Sequence, residues 1–373
     1  MKKLKICSPQ LGLNPNSDLG GEVHDHFVLQ SLAKNGHKIF IYLPKDRPYQ
    51  RHHNIIVARA PIKHIPAILF NFLVIPYLFR TYKKEKFDIL RVHNPYFVGL
   101  GALIFKIFHP QVPIATIHHL AENNALFDLI NKVTAKKYDA IIAVSKYVKN
   151  WLATRYDLDD SKVHVIYNGV DMSLKPESKD KSLLKKYHLQ NKIILMFMGL
   201  LIERKNPMFL LNLFQKLKTK YPKIGLLICG DGPLKKTMRN FVEEKKLTDV
   251  IFVGEVFGDD KLKHFNICDI FALPSKNEGF GIVIGEAMAC AKPVIIPNSW
   301  CAKEIITDSQ EGFLAKANDL DDWYNKIIEL IKNRKLREKM GKKAKAKIRE
   351  KFSWNKSAVE NEKLFYQLIN NAS

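Results

Sequence analysis

The sequence predicts an α/β protein made of two Rossmann-like α/β/α halves. Three observations lead there. Short apolar runs alternate with longer segments of helical periodicity along the whole chain, the pattern of strands buried on both faces of parallel sheets. Each half opens with such a run, followed by a glycine-containing loop and a helix. Between the halves, residues 175–189 are polar and include Pro176, as a linker would be. A chain of 373 residues is long enough for two hydrophobic cores.

In the first half, residues 3–7 read as a strand and residues 8–19 as a loop. Gly20 and Gly21 then open a helix over 22–35, with Asp18 placed to cap its start. Gly36-His37 ends that helix before a strand at 38–43. The unit lacks the G-x-G-x-x-G of dinucleotide binders. Residues 65–79 form an apolar run broken by Pro66 and Pro76 and followed by Arg80, Lys83, Lys84 and Lys86. One reading is an amphipathic helix covering the sheet, with a solvated basic end. The other is a peripheral membrane surface, extended by Lys132, Lys136 and Lys137. One helix can do both. Residues 88–93 and 113–118 read as parallel strands ending in His93 and His118, with His119 next. Carboxyl ends of such strands face the ligand crevice. Strands at 139–145 and 163–166 follow, and Asn168-Gly169 marks a turn.

The second half begins with a strand at 192–198 that ends in Gly199. Arg204 and Lys205 come just before a helix at 208–220, where a guanidinium fork and a lysine point charge suit a diphosphate. Further strands are expected at 224–229, 250–254 and 267–273, the last with Asp269 inside it. Pro274 and Ser275 break that strand, and Gly279 and Gly281 form a loop that lets backbone approach a ligand. The pattern then turns helical over 282–291, before Lys292-Pro293 and a strand at 294–297. Glu278 therefore sits on the loop and Glu286 about one turn into the helix. The N–H groups of residues 280–283 point out of the helix start, an anion site. Carboxylates on both sides of such a site suit a sugar nucleotide, whose hydroxyls need acceptors around a diphosphate. Residues 319–333 and 336–352 read as basic amphipathic helices.

The stretch E-G-F-G-I-V-I-G-E-A-M-A, residues 278–289, resembles the E-x7-E signature of retaining GT-B glycosyltransferases of family 4 (glycosyl transferases group 1). The resemblance covers nearly the whole chain and is most specific over residues 195–315. It implies a GT-B fold with two Rossmann-like domains facing across a cleft: residues 1–180 for the acceptor, 190–352 for the nucleotide sugar, and 353–373 as a helix returning to the first. It implies that Glu278 contacts sugar hydroxyls and Glu286 the ribose. Gly199, Arg204 and Lys205 would hold the donor's phosphates, with Gly279, Phe280 and Gly281 beside them. Backbone at Gly254 to Val256 would meet the base, His118 would line the sugar site, and the Gly20-Gly21 loop would face the acceptor. Catalytic roles then fall to His118, Glu278, Arg204 and Lys205. Two departures stand out. Leu200 occupies a position where the family often has Arg, and the G-G-x-x-E glycines are replaced, leaving Trp300 ahead of Glu304.

The reaction implied is glycosyl transfer from a nucleoside-diphosphate sugar to a hydroxyl acceptor with retention, in cell-surface glycan or glycolipid synthesis. Neither a cofactor nor a metal is expected, since no D-x-D cluster is suitably placed. The acceptor partner is a glycan or lipid-linked species, with an anionic membrane as a further partner. The net charge of +23 divides almost evenly between the halves and attracts polyanions without choosing among them. Cys7, Cys229, Cys268, Cys290 and Cys301 lack disulfide or zinc spacing. With no signal-peptide pattern and no membrane-length apolar run, the expected location is cytoplasmic, with peripheral attachment at the inner membrane face as the further option. Two alternatives are another GT-B nucleotide-sugar reaction, such as epimerisation or phosphorolysis, and a basic nucleic-acid-binding Rossmann protein. The second leaves Glu278 and Glu286 unexplained, and no nucleic-acid partner is expected.

Overall fold

The computed structural model describes residues 2–14, 16–17, 19–63, 65–93, 95–120 and 125–372. The cap expected of Asp18 lies outside the described residues. The chain forms two compact units, residues 1–169 with 354–373, and residues 170–353.

The first unit holds β1 (Lys5–Cys7), β2 (Lys38–Leu43), β3 (Ile55–Arg59), β4 (Ile89–His93), β5 (Ile114–His118), β6 (Ala140–Ala143) and β7 (Val163–Val165). They form one parallel sheet in the order β3-β2-β1-β4-β5-β6-β7. Its helices are α1 (Gly20–Lys34), α2 (Ala67–Glu85), α3 (Pro95–Phe108), α4 (Ala125–Lys137) and α5 (Lys146–Tyr156), and the chain's final helix also packs here. The second unit begins with α6 (Lys181–Lys186) and holds β8 (Ile193–Met198), β9 (Ile224–Cys229), β10 (Val250–Gly254), β11 (Ile270–Ala272), β12 (Val294–Pro297) and β13 (Gly312–Ala315). Its parallel sheet runs β10-β9-β8-β11-β12-β13. The connecting helices are α7 (Pro207–Lys220), α8 (Lys235–Glu244), α9 (Gly258–Ile267), α10 (Ile282–Ala289), α11 (Ala302–Ile305), α12 (Leu320–Lys332) and α13 (Arg334–Lys351). The final helix is α14 (Trp354–Ala372).

The strand order explains where ligands should go. In each sheet the first strand lies between the second and a later one, so the order reverses beside it: β1 next to β4, and β8 next to β11. Connections leave to opposite faces there and open a crevice at the strands' carboxyl ends. Central strands are almost wholly buried, as their apolar sequences require.

Several boundaries differ from the sequence-based expectation for identifiable reasons. β11 begins at Ile270, so the strand expected over 267–273 is shorter. Asp269 lies outside it, its carboxylate accepting from the Ile194 amide at 2.9 Å and from Lys179 at 2.7 Å. α10 ends at Ala289 because Ala291 adopts a left-handed conformation, φ +56°. The division between units falls at residues 169/170, ahead of the linker expected at 175–189. That segment is fastened to the second unit: the Asn266 side chain accepts from the Glu177 amide at 2.8 Å and donates to the Lys175 carbonyl at 3.1 Å. Leu189 is fully buried, and α6 forms within the expected linker. Residues 354–373 pack with the first unit, where Tyr366 donates to the Lys2 carbonyl at 2.6 Å.

α2 covers the first sheet through Phe70, Val74 and Leu78, all fully buried. The same helix leaves Ile68, Leu69 and Phe72 exposed, Phe72 by 54%. All five cysteines are buried thiols, and none forms a disulfide among the described residues. Among the described residues, no helix is long and apolar enough to cross a membrane, and no group of three His, Cys, Asp or Glu side chains is arranged to hold a metal ion.

Candidate active site

The second unit's site lies at the carboxyl ends of the switch-point strands β8 and β11. After β8 the chain turns through Gly199, Leu200 and Leu201 into a short 3-10 turn at Glu203–Lys205. Gly199 lies against Gly230, where a Cβ would come within 2.0 Å of the Gly199 carbonyl, so the neighbouring loops close up only over a glycine. After β11, Leu273, Pro274 and Ser275 are buried and lead to Glu278, which is 5% exposed. The two loops are joined by main chain, the Lys276 amide donating to the Arg204 carbonyl at 2.8 Å.

These loops bring two cations onto one carboxylate. Lys205 Nζ donates to Glu278 Oε1 at 2.6 Å. Arg204 Nη1 reaches Glu278 Oε2 at 3.4 Å and the Asn277 carbonyl at 3.0 Å. Burial is the largest influence on the Glu278 carboxyl and pushes its pKa up. The charges of Lys205 and Arg204, with the Lys205 hydrogen bond, together outweigh it and hold the carboxyl below the usual range. The cluster keeps one positive charge in excess of its carboxylate.

Gly281 starts α10 in the left-handed region, φ +75°, a conformation that disfavours any residue with a Cβ. Its cap residue is glycine, which brings no side-chain acceptor of its own to the first N–H groups. Phe280 is buried, its ring 5.4 Å from that of Phe352. One turn further on, Glu286 is buried with its carboxylate paired to Lys261 Nζ of α9 at 2.6 Å. Lys205, Arg204, Lys261, the α10 start, Glu278 and Glu286 thus combine three cations, helix-start amides and two carboxylates, the equipment for a polyhydroxylated anion.

The first unit carries a separate buried polar cluster beside its own switch point. Arg91, fully buried on β4, donates to Asp25 at 2.5 Å and to Ser8 Oγ at 3.2 Å. His93 Nδ1 lies 2.7 Å from Asp25, and His24 pairs with Asn168 Oδ1 at 2.8 Å. Arg91 and His93 together hold the Asp25 carboxyl well below the usual range, against burial, which is the largest influence and acts upward. His118 ends β5, 3% exposed, and its Nε2 has no hydrogen-bond partner among the described residues. Burial, then the charge of His93, pushes the His118 pKa down to about 3, so its ring is neutral at physiological pH.

Among the residues expected from sequence, Arg204, Lys205 and Glu278 converge within hydrogen-bonding distance, with Gly199, Gly279, Phe280 and Gly281 on the same loops. Glu286 follows on α10. Gly254 ends β10, and Val256 lies on the loop leading to α9. Gly20 and Gly21 form the first residues of α1 rather than a loop before it. Sequence reasoning missed Lys261, Asp25, His24 and Arg91. Trp300, where the family has glycine, adopts φ +41° and donates its indole N–H to the Ser275 carbonyl at 3.1 Å.

Two switch-point sheets, with Glu278 on the loop after β11 and Glu286 inside α10, are the arrangement expected of a GT-B glycosyltransferase. Residues 179–347 match the family described as glycosyl transferases group 1, and residues 20–174 match glycosyltransferase family 4. An uncharacterized glycosyltransferase of Methanocaldococcus jannaschii is 30% identical over 328 residues, spanning 84% of this chain and 86% of that protein. The chain therefore belongs to the group 1 glycosyltransferases. It is also similar to N-acetyl-alpha-D-glucosaminyl L-malate synthase of Bacillus anthracis, at 25% identity over 98% of both chains. A Campylobacter jejuni enzyme, N-acetylgalactosamine-N,N'-diacetylbacillosaminyl-diphospho-undecaprenol 4-alpha-N-acetylgalactosaminyltransferase, is 25% identical over 80% of this chain and 82% of its own. The fold matches that of Anabaena Alr3699/HepE in complex with UDP and glucose. The TM-score is 0.80 at 18% identity, over 97% of this chain and 99% of that one.

Proposed function

We propose that this glycosyltransferase moves a sugar from a nucleoside-diphosphate donor to a hydroxyl acceptor with retention of anomeric configuration, in cell-surface glycan or glycolipid synthesis. The observation that carries the reading is Glu278, buried between Lys205 and Arg204 beside the start of α10. In the reaction the C1–O bond to the diphosphate breaks, its electron pair leaving with the phosphate. The acceptor oxygen forms the new bond on the same face of C1, and its proton passes to the leaving phosphate oxygen. Lys205, Arg204 and the α10 amides neutralise the charge that develops there, where fixed dipoles act without reorganisation. Glu278 accepts from sugar hydroxyls, Glu286 accepts from the ribose, and Gly254 to Val256 meet the base through their backbone. His118, neutral and with a ring nitrogen that has no partner among the described residues, contributes a hydrogen bond to the sugar. The Gly20-Gly21 segment serves the acceptor. The phosphate charge is assigned to protein groups rather than to a metal, so EDTA should leave turnover unchanged.

A lipid-linked or membrane-presented acceptor is the reading favoured for the first unit. On α4, exposed Leu126, Leu129 and Val133 interleave with exposed Lys132, Lys136 and Lys137, the composition of a helix face resting on anionic lipid. On α2, Phe72 and Lys83 lie ~16 Å apart along the axis, so its apolar and basic groups occupy separate ends. The Campylobacter jejuni relative's name describes a lipid-linked acceptor, whereas that of the Bacillus anthracis relative describes L-malate.

A thermal-shift screen over nucleoside diphosphates and their sugars tests the donor assignment. A ligand held at a hundredfold its Kd stabilises by ~2.7 kcal/mol, a melting shift of roughly 5–10 °C for a unit of this size. If no nucleotide or nucleotide sugar shifts melting at millimolar concentration, the assignment is wrong.

A further inference from the structure

We propose that Lys261 is a positioning and specificity-determining residue that works with Glu286 to read the vicinal diol of the donor's ribose. This rests on the assignment of Glu286 to the ribose; the part played by Lys261 is the new step. Lys261 lies in the first turn of α9, five residues beyond Val256. It has acidic neighbours on its own helix, Asp259 and Asp260, and it bypasses both. Its ammonium instead crosses to α10 and contacts Glu286 Oε1 at 2.6 Å. The lysine side chain is 25% exposed and the glutamate side chain 8%, so the ion pair reaches the surface on the lysine side.

Two features make this pair more than a tie between helices. The second oxygen of Glu286 receives no hydrogen bond among the described residues, leaving an acceptor free beside the ammonium. At Gly254 and Gly258, which flank the loop leading to α9, a built Cβ would meet nothing within 4 Å, so the chain just ahead of Lys261 borders open space. A vicinal diol presents one hydroxyl that can donate and a neighbouring oxygen that can accept. The free Glu286 oxygen takes the first, and a spare proton of the Lys261 ammonium serves the second. Lys261 also fixes the glutamate in one orientation before the nucleotide arrives, lowering the ordering cost of binding.

Isothermal titration of the full-length protein with UDP, GDP and ADP, each beside its 2'-deoxy counterpart, tests the proposal. The variants are Lys261→Met, which keeps the aliphatic stem, and Lys261→Arg, with Lys261→Gln in reserve if the methionine variant melts early. Wild type should prefer the best-binding ribonucleotide to its deoxy form by roughly tenfold, the worth of one hydrogen bond to a charged group. Lys261→Met should weaken ribonucleotide binding by a similar factor, shrink the ribo/deoxy preference towards unity, and raise the donor KM with kcat nearly unchanged. Lys261→Arg should recover part of the preference. If Lys261→Met weakens both forms equally, or changes neither, the pair is structural and the proposal is overturned. Failure of wild type to bind any of the nucleotides would instead overturn the donor assignment, and the proposal with it.

Discussion

Replacing Glu278 by glutamine keeps the side chain's shape and removes its charge, and the structure allows both consequences to be sized. In the free protein the carboxylate accepts from Lys205 at 2.6 Å and approaches Arg204 at 3.4 Å. A hydrogen bond to a charged group contributes ~1.5–3 kcal/mol. Lys205 and Arg204 keep 12% and 34% side-chain exposure, so both can turn towards water once the carboxylate is gone. Folding should therefore lose only ~1–2 kcal/mol, a fall in melting temperature of roughly 2–8 °C. Turnover should suffer far more. Losing a preorganised polar contact to the transition state costs ~2–4 kcal/mol, or about 30- to 1000-fold in rate. Lys205→Ala should fall in the same range, because it removes charge from the developing diphosphate. The assay is nucleoside-diphosphate release at saturating donor, with circular dichroism and melting on the same samples. A well-folded Glu278→Gln protein turning over within threefold of wild type would refute the assignment of this carboxylate to the transition state.

Acid should destabilise the first unit before it unfolds the carboxylate network. His24 and His118 are buried and neutral, with pKa values pushed down to about 3, and protonation is easier in the unfolded chain. Stability is therefore complete above the ordinary histidine pKa and drains as pH falls below it, by roughly 2 kcal/mol for each of the two rings near pH 5; melting temperatures from pH 8 to 5 should decline below about pH 6.5. Gly281→Ala should cost ~1–2 kcal/mol and impair donor binding, because φ is +75° there and the new Cβ would sit 2.7 Å from Ile284 Cδ1; chemical denaturation and nucleotide titration measure both. Sedimentation with liposomes should show binding that rises with anionic lipid, falls with salt, and weakens in a Leu129→Ser/Lys132→Ser double variant. Wild type that stays in the supernatant with anionic vesicles at low salt would remove the membrane surface from the account.

Much of this was legible because buried parallel strands are written as continuous apolar runs and glycine marks where loops must approach one another. The β8 and β11 loops, with Arg204, Lys205 and Glu278, could be placed from local pattern alone. What escaped depends on contacts distant in sequence. Asp269 reads as part of a strand, yet it lies just outside it: its main-chain N–H donates to the Ile194 carbonyl while its carboxylate accepts from the Ile194 amide. Residues 175–189 have a linker's composition, and nothing local reveals that Asn266 fastens them to the second unit. Arg91 sits in an alternating strand sequence, where only the fold shows it to be a fully buried cation held by Asp25. Lys261 lies 25 positions before its partner Glu286, in a helix whose own acids looked like its natural neighbours.

The most direct test of the central claim is the anomeric configuration of the product. Purified protein, an α-linked nucleoside-diphosphate sugar chosen by the thermal-shift screen and a hydroxyl acceptor are followed by proton NMR from the first minutes. The account predicts stoichiometric release of the nucleoside diphosphate and a new α-anomeric signal. A β-anomeric product from that donor, or nucleotide release with no new glycosidic bond, would contradict it.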